Sequence, residues 1–152
     1  MEKKSTFTQE IYTECVIHAP AARIYAILSD FANYGMWTNE MSISGDTQPG
    51  GKICVKVKTA NGGNGWYQFK SMMKANNERI IAMDNVLLAP LIFLGKNRFE
   101  IIPVSEDAVR FVNAEEFSGL AVPFVRKKSL LQITRRFKQN VNAALKMTAE
   151  KP

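Results

Sequence analysis

Residues 126–148 contain neither glycine nor proline, and Leu130, Ile133, Phe137, Val141, Ala144 and Leu145 recur there at the spacing of one helix face. Such a helix spans roughly 33 Å. Nearly everything regular before it reads as short strand, and a single sheet must cover its apolar face with something. The terminal helix is the only element of the right length, so the chain is constrained to one sheet folded about one long helix.

The strands are legible as alternation. EIYTECVIH (10–18) sets Ile11, Thr13, Cys15 and Ile17 against Tyr12, Glu14, Val16 and His18. Pro20 suits the first turn of a helix running to about Ser29. On that helix Ile24, Ile27, Leu28 and Phe31 form one apolar stripe. Asp30 is placed to cap a second short helix through Tyr34, and Gly35 to end it. From residue 40 to 117 come MSISG, GKICVKVKT, WYQFKSMM, RIIAMDN, NRFEIIPV and AVRFVNAEEF. NGGNG (61–65), NNE (76–78) and SED (105–107) read as tight turns between them. Regular short strands with such turns predict a continuous antiparallel meander. The expected class is α+β: a strongly curved antiparallel sheet of about seven strands around the C-terminal helix, with two short helices after the first strand. Residues 1–152 are expected to form one domain, with 1–9 as a loose tail.

The chain of 152 residues is 46% apolar and 22% charged. A domain of this size buries roughly 68–70% of its unfolded surface, which needs neither disulfide nor metal. Cys15 and Cys54 lie in separate strands without CxxC spacing, so both are expected as reduced, half-buried thiols. MEKKSTFTQE lacks the apolar core of a signal peptide, which points to the cytoplasm. The longest apolar stretch, VLLAPLIFL (86–94), is about half a bilayer span and is broken by Pro90. A net charge of +6 permits contact with anionic surfaces without specifying nucleic acid.

Three stretches carry a resemblance: HAPAARIYAILSDFANYGMWT (18–38), GKNRFEIIP (95–103) and EEFSGLAVPFVRK (115–127). In this order and spacing the chain resembles the START/SRPBCC superfamily, and within it the polyketide cyclase/dehydrase-like members, over roughly residues 9–147. The resemblance implies the helix-grip fold and an apolar cavity between sheet and last helix, occupied by a lipid, sterol or polyketide-like molecule. Trp37 stands where the family carries an aromatic after the second short helix, and Phe99 and Phe117 match phenylalanines of its late strands. Where many relatives read His-Gly-Glu-Arg-Phe, this chain has Asn113-Ala114-Glu115-Glu116-Phe117, and Asn97 stands where histidine is common. Both departures remove imidazoles, the readiest general bases.

On the inward face of the last strand, Asn113 and Glu115 lie between Phe111 and Phe117. Buried there, Glu115 needs a partner, a water or a raised pKa. It is either a polar anchor in an apolar pocket or a strand-end carboxylate paired with Arg98 or Arg110. Phe31, Tyr34 and Trp37 are core or cavity wall, with the Tyr34 hydroxyl or Trp37 indole free to orient a ligand in the second case. The remaining candidate ligand contacts are Val55, Val57, Tyr67, Phe69, Met73, Phe93, Phe99, Ile101, Phe111, Phe117, Phe124, Leu130 and Phe137.

His18, the single histidine, reads as structural, and with two separated cysteines no metal or other cofactor site is expected. GGNG lacks the lysine and following helix of a phosphate loop, and Ser118-Gly119 is no nucleophile elbow. The loop 86–94 is a lid, a membrane contact or a subunit contact. Arg126, Lys127, Lys128, Arg135, Arg136 and Lys138 form a solvated face or a site for anionic lipid headgroups.

These readings favour a carrier or sensor that binds a hydrophobic small molecule internally, as monomer or dimer, with possible transient contact with an anionic membrane. One alternative is a cyclase/dehydratase-type enzyme with Glu115 as base and Asn113 or Tyr67 polarising a carbonyl. Another is a protein-interaction module with a vestigial cavity.

Overall fold

A computed structural model describes residue 2, residues 4–58 and residues 65–152. Most of the NGGNG turn therefore lies outside the described residues. The elements are β1 (Lys4–Ser5), β2 (Thr8–Ile17), α1 (Ala21–Ser29), a 3-10 segment (Phe31–Met36), β3 (Met41–Gly45), β4 (Lys52–Lys58) and β5 (Trp66–Asn76). They continue with β6 (Ile80–Val86), β7 (Leu94–Ser105), β8 (Ala108–Ser118), α2 (Val122–Val125) and α3 (Lys128–Ala149).

Among the described residues the strands form one eight-stranded sheet in the order β1-β2-β8-β7-β6-β5-β4-β3, antiparallel at each pairing. The first long strand pairs with the last, and the meander runs back from there. Register shifts between Met73 and Ala75 and between Pro103 and Ser105 mark irregularities of the kind that bend a strand and sharpen sheet twist. The expected count of about seven strands rises to eight because residues 4–5 pair with 8–9. The predicted loose tail is corrected accordingly: a turn at residues 6–7 folds β1 onto β2. Glu2 also accepts hydrogen bonds from the Tyr12 backbone N–H (2.9 Å) and Arg135 (2.5 Å).

Pro20 directly precedes α1, whose Ile24 and Leu28 are buried. Asp30 does not cap the next turn through its side chain onto the backbone. Its carboxylate accepts instead from the Asn33 side-chain amide. The core gathers Ile17, Ile24, Leu28, Met73, Ile81, Met83, Phe99, Ile101, Phe111, Val141 and Leu145 between sheet and helices. α3 packs mainly on β2, with smaller contacts to α1 and β8. Cys15 and Cys54 are both free and half-buried. No helix among the described residues is long and apolar enough to cross a membrane.

Helix α3 departs from its expected face. Leu130 and Ile133 are substantially exposed, while Lys138, Val141, Asn142, Leu145 and Ala149 are buried. Lys138 was expected in the basic run, and Asn142 is no part of the expected apolar stripe. Both lie three residues before a buried aliphatic, Val141 and Leu145, and so belong to the same stripe. Hydropathy assigned them outward; helical spacing places them inward.

Candidate functional site

The pairing register writes out the inward face of the sheet row by row. Ser71, Asn85, Gly95 and Phe117 are successive partners across β5, β6, β7 and β8. The next row is Met73, Met83, Asn97, Glu115 and Ile11, and the one after it contains Ile81, Phe99, Asn113 and Thr13. A polar band thus crosses the concave face above a core of methionine, isoleucine and phenylalanine.

Lys138 enters this band from α3 with no exposed surface at all. Its Nζ donates to Asn97 Oδ1 (3.0 Å) and Asn113 Oδ1 (3.1 Å) and lies 3.6 Å from Glu115 Oε2. The Asn113 amide donates to Asn142 Oδ1 (3.0 Å) and, at 3.4 Å, to the Lys138 carbonyl. Asn142 donates to Thr13 Oγ1 (3.0 Å), which donates to the Asn113 carbonyl (2.7 Å). Beside this chain the Ser71 hydroxyl donates to Asn85 Oδ1 (2.5 Å).

Burial pushes the Lys138 ammonium below the ordinary lysine range, and the neighbouring Glu115 carboxylate opposes that shift. A buried charge is tolerable here because a carboxylate and two amide oxygens surround it. Glu115 keeps 14% of its side chain exposed, so the pair opens to solvent on the carboxylate side alone. Gly95 makes room for that carboxylate: a Cβ at Gly95 would stand 2.9 Å from Glu115 Oε1. The partner of Glu115 is therefore Lys138. Arg98 instead binds Glu10 (2.8 Å) and Glu100 (2.7 Å), and Arg110 binds Glu14 (3.1 Å).

Half-buried aromatics adjoin the polar band. Phe117 follows Glu115 on the same face and stacks against Phe93, ring centroids 5.4 Å apart. Phe69 precedes Ser71 on its face, and Phe137 packs against the edge of the core. Deeper in, Val55, Met73, Phe99, Ile101 and Phe111 are buried, with Phe99 and Phe111 stacked at 5.8 Å, and Val57 is partly buried against them.

Three candidate contacts belong elsewhere. Phe124 is 79% exposed on α2, Tyr67 is 62% exposed, and Leu130 is also open to solvent. The Phe31, Tyr34 and Trp37 group is part of, or packed on, the core. The Tyr34 hydroxyl is committed to the Leu28 carbonyl at 2.6 Å, so it is not free to orient a ligand. The Trp37 indole nitrogen is buried without a partner among the described residues.

Two open grooves, of about 540 and 370 Å³, lie away from the polar band. The first runs along Gly35, Thr38, Ser42, Lys56, Trp66 and Gln68 at the β3 end of the sheet. The second lies among Lys4, Arg126, Lys128 and Arg135. No group of His, Cys, Asp and Glu among the described residues could hold a metal ion.

Lys138 is the functional candidate missed by the expectation of a solvated basic run. Its spacing from Val141 and Leu145 was the available signal, together with the need of Glu115 for a cation.

No protein-family model and no curated protein matches the chain. Solved structures do. A START superfamily protein from Mycobacterium smegmatis aligns with a TM-score of 0.72 at 18% identity, covering 93% of this chain and 97% of its own. The Zhui aromatase/cyclase from Streptomyces sp. R1128 aligns at 0.70 and 14% identity, covering 94% of each chain. Truncated norcoclaurine synthase from Thalictrum flavum aligns at 0.63 and 15% identity over 100% of both. At these identities the likeness is one of fold.

Proposed function

On the premise of the helix-grip fold, shared with START-superfamily proteins and aromatase/cyclases, we propose that this chain binds a hydrophobic small molecule carrying one polar group. The molecule lodges between sheet and α3, its apolar body among Phe69, Phe93, Phe117 and Phe137 and its polar group at Glu115 and Lys138. The observation that carries this reading is a fully buried Lys138 paired with Glu115 in a polar band bordered by half-buried aromatics. An apolar body with a few convergent polar groups is the usual make-up of a small-molecule site. Apolar contact supplies affinity at roughly 25 cal/mol per Å² before association costs, and the ion pair selects the polar end. The protein serves as a carrier or sensor.

The test is native mass spectrometry of the full chain purified from its own host. An extractable organic adduct is expected, with lower occupancy in Glu115→Gln and in Phe117→Asp. A chain that carries no adduct, and takes up none from a host lipid extract, refutes the reading.

A second reading, a cyclase/dehydratase-type enzyme, is favoured by the same pair: a carboxylate and an amine of lowered pKa, 3.6 Å apart, can hold and pass a proton. Lys138 takes over the polarising role first given to Asn113, whose amide donates to Asn142 and to the Lys138 carbonyl. Turnover of a poly-carbonyl substrate that disappears in Glu115→Gln while binding persists distinguishes this reading from the first.

A further inference from the structure

Three loops meet at one end of the molecule and are tied by their backbones. Leu120 N–H donates to the Leu91 carbonyl (3.0 Å), Ala121 N–H to Ile92 (2.9 Å) and Gly119 N–H to Phe7 (3.0 Å). These loops, with α2 beside them, hold large apolar side chains out in water. Leu88 is 88% exposed and Leu91 73%, and Phe7, Leu87, Leu120 and Phe124 join them. A soluble surface rarely carries so many large apolar groups in one place without a use for them.

The second groove adjoins this tip. Its wall includes Lys4, Arg126, Lys128 and Arg135 over about 370 Å³. Arg126 ties it to the tip, donating to the backbone carbonyls of Ser5 and Thr8 on either side of the Phe7 turn. Its Nε is buried without a partner among the described residues. Arg135 is partly neutralised by Glu2. Lys4, Lys127 and Lys128 make no ion pair among the described residues. An apolar tip bordered by uncompensated cations, on a chain of net charge +6, complements an apolar layer edged with anions.

We propose that this end docks on an anionic phospholipid bilayer, with Leu88, Leu91 and Phe124 entering the interface and Lys4, Arg126 and Lys128 meeting lipid phosphates. The attraction has two parts. Burying a leucine or phenylalanine strengthens partitioning by roughly tenfold or more. Each cation near an anionic surface adds about fivefold, a contribution that salt screens. The proposal does not depend on what the interior binds.

Vesicle flotation of the full chain tests it, using phosphatidylcholine alone or phosphatidylcholine with one-third phosphatidylglycerol. Binding is expected to the mixed vesicles only, and to weaken as salt rises. Leu88→Asp/Phe124→Asp should reduce it by roughly a hundredfold. Lys4→Glu/Lys128→Glu should reduce it by at least about twenty-fivefold. All four side chains are exposed or half-exposed at the surface, and unchanged melting temperatures are expected. Binding to neither vesicle, equal binding to both, or binding that survives both variant pairs overturns the proposal. Native-chain self-association abolished by the tip variants, with no vesicle binding, also overturns it and identifies a contact between copies.

Discussion

Glu115→Gln is the sharpest perturbation of the interior. It keeps the size of the side chain and one acceptor oxygen for Lys138, and removes the charge facing it. At the observed 3.6 Å, an effective dielectric constant of about 20 makes the attraction roughly 4–5 kcal/mol. Glu115 retains some contact with water, which lowers the figure to about 2–3 kcal/mol. Burial already holds the Lys138 pKa below its ordinary 10.5. Between the folded and unfolded values the unfolded chain binds more protons at this lysine, so its contribution to stability rises with pH. Removing the carboxylate lowers the folded value further. The variant's loss is therefore greatest below its own folded Lys138 value and falls away as pH rises through the parent's, which lies below 10.5. Urea unfolding of both proteins across a pH series ending at about 10.5 measures this. The greatest loss corresponds to a melting shift of roughly 4–12 °C for a chain of this size. A loss of equal size at every pH would refute the charge argument and assign the effect to packing. No loss at any pH would show that the pair is not formed.

The other expectations are shorter. Gly95→Ala introduces a Cβ 2.9 Å from the mobile end of Glu115, so the carboxylate swings away. Stability at the alkaline end of the series should change by under about 1 kcal/mol, while a weaker copy of the Glu115→Gln pH dependence appears below it. Tyr34→Phe leaves the buried Leu28 carbonyl without its donor, and thermal unfolding should report a loss of about 1–2 kcal/mol. Gly119→Ala forces a φ of +123° on a residue with a Cβ, which would also overlap the Ile92 carbonyl oxygen. Its melting temperature should fall by the equivalent of about 2–4 kcal/mol; a smaller change would mean that the 87–93 and 119–121 loops yield easily.

The element order was legible because period-two and helical spacings occupy separate stretches of the chain. Period-two alternation through Val55, Phe69, Phe99 and Phe111 marks the sheet, and the unbroken stretch after Pro123 marks α3. The inward face of β8 was legible for the same reason, since Phe111, Asn113, Glu115 and Phe117 can only face together. The residue that meets Glu115 was not. Lys138 sits on another element, and its charge suggested water until the folded helix turned it inward. Tyr34 shows the opposite limit: a hydroxyl that composition offers to a ligand is taken by a carbonyl six residues earlier, which local spacing alone does not reveal. The 4–5 strand escaped because two residues are too few for alternation to register.

Among the described residues the sheet begins at β1 and finishes at β3, and these terminal strands do not pair with each other. The structure is thus a clip and not a sealed tube. Spreading its two jaws breaks no rung of any interstrand ladder, so a guest bulkier than the resting interior meets resistance from side-chain contacts alone.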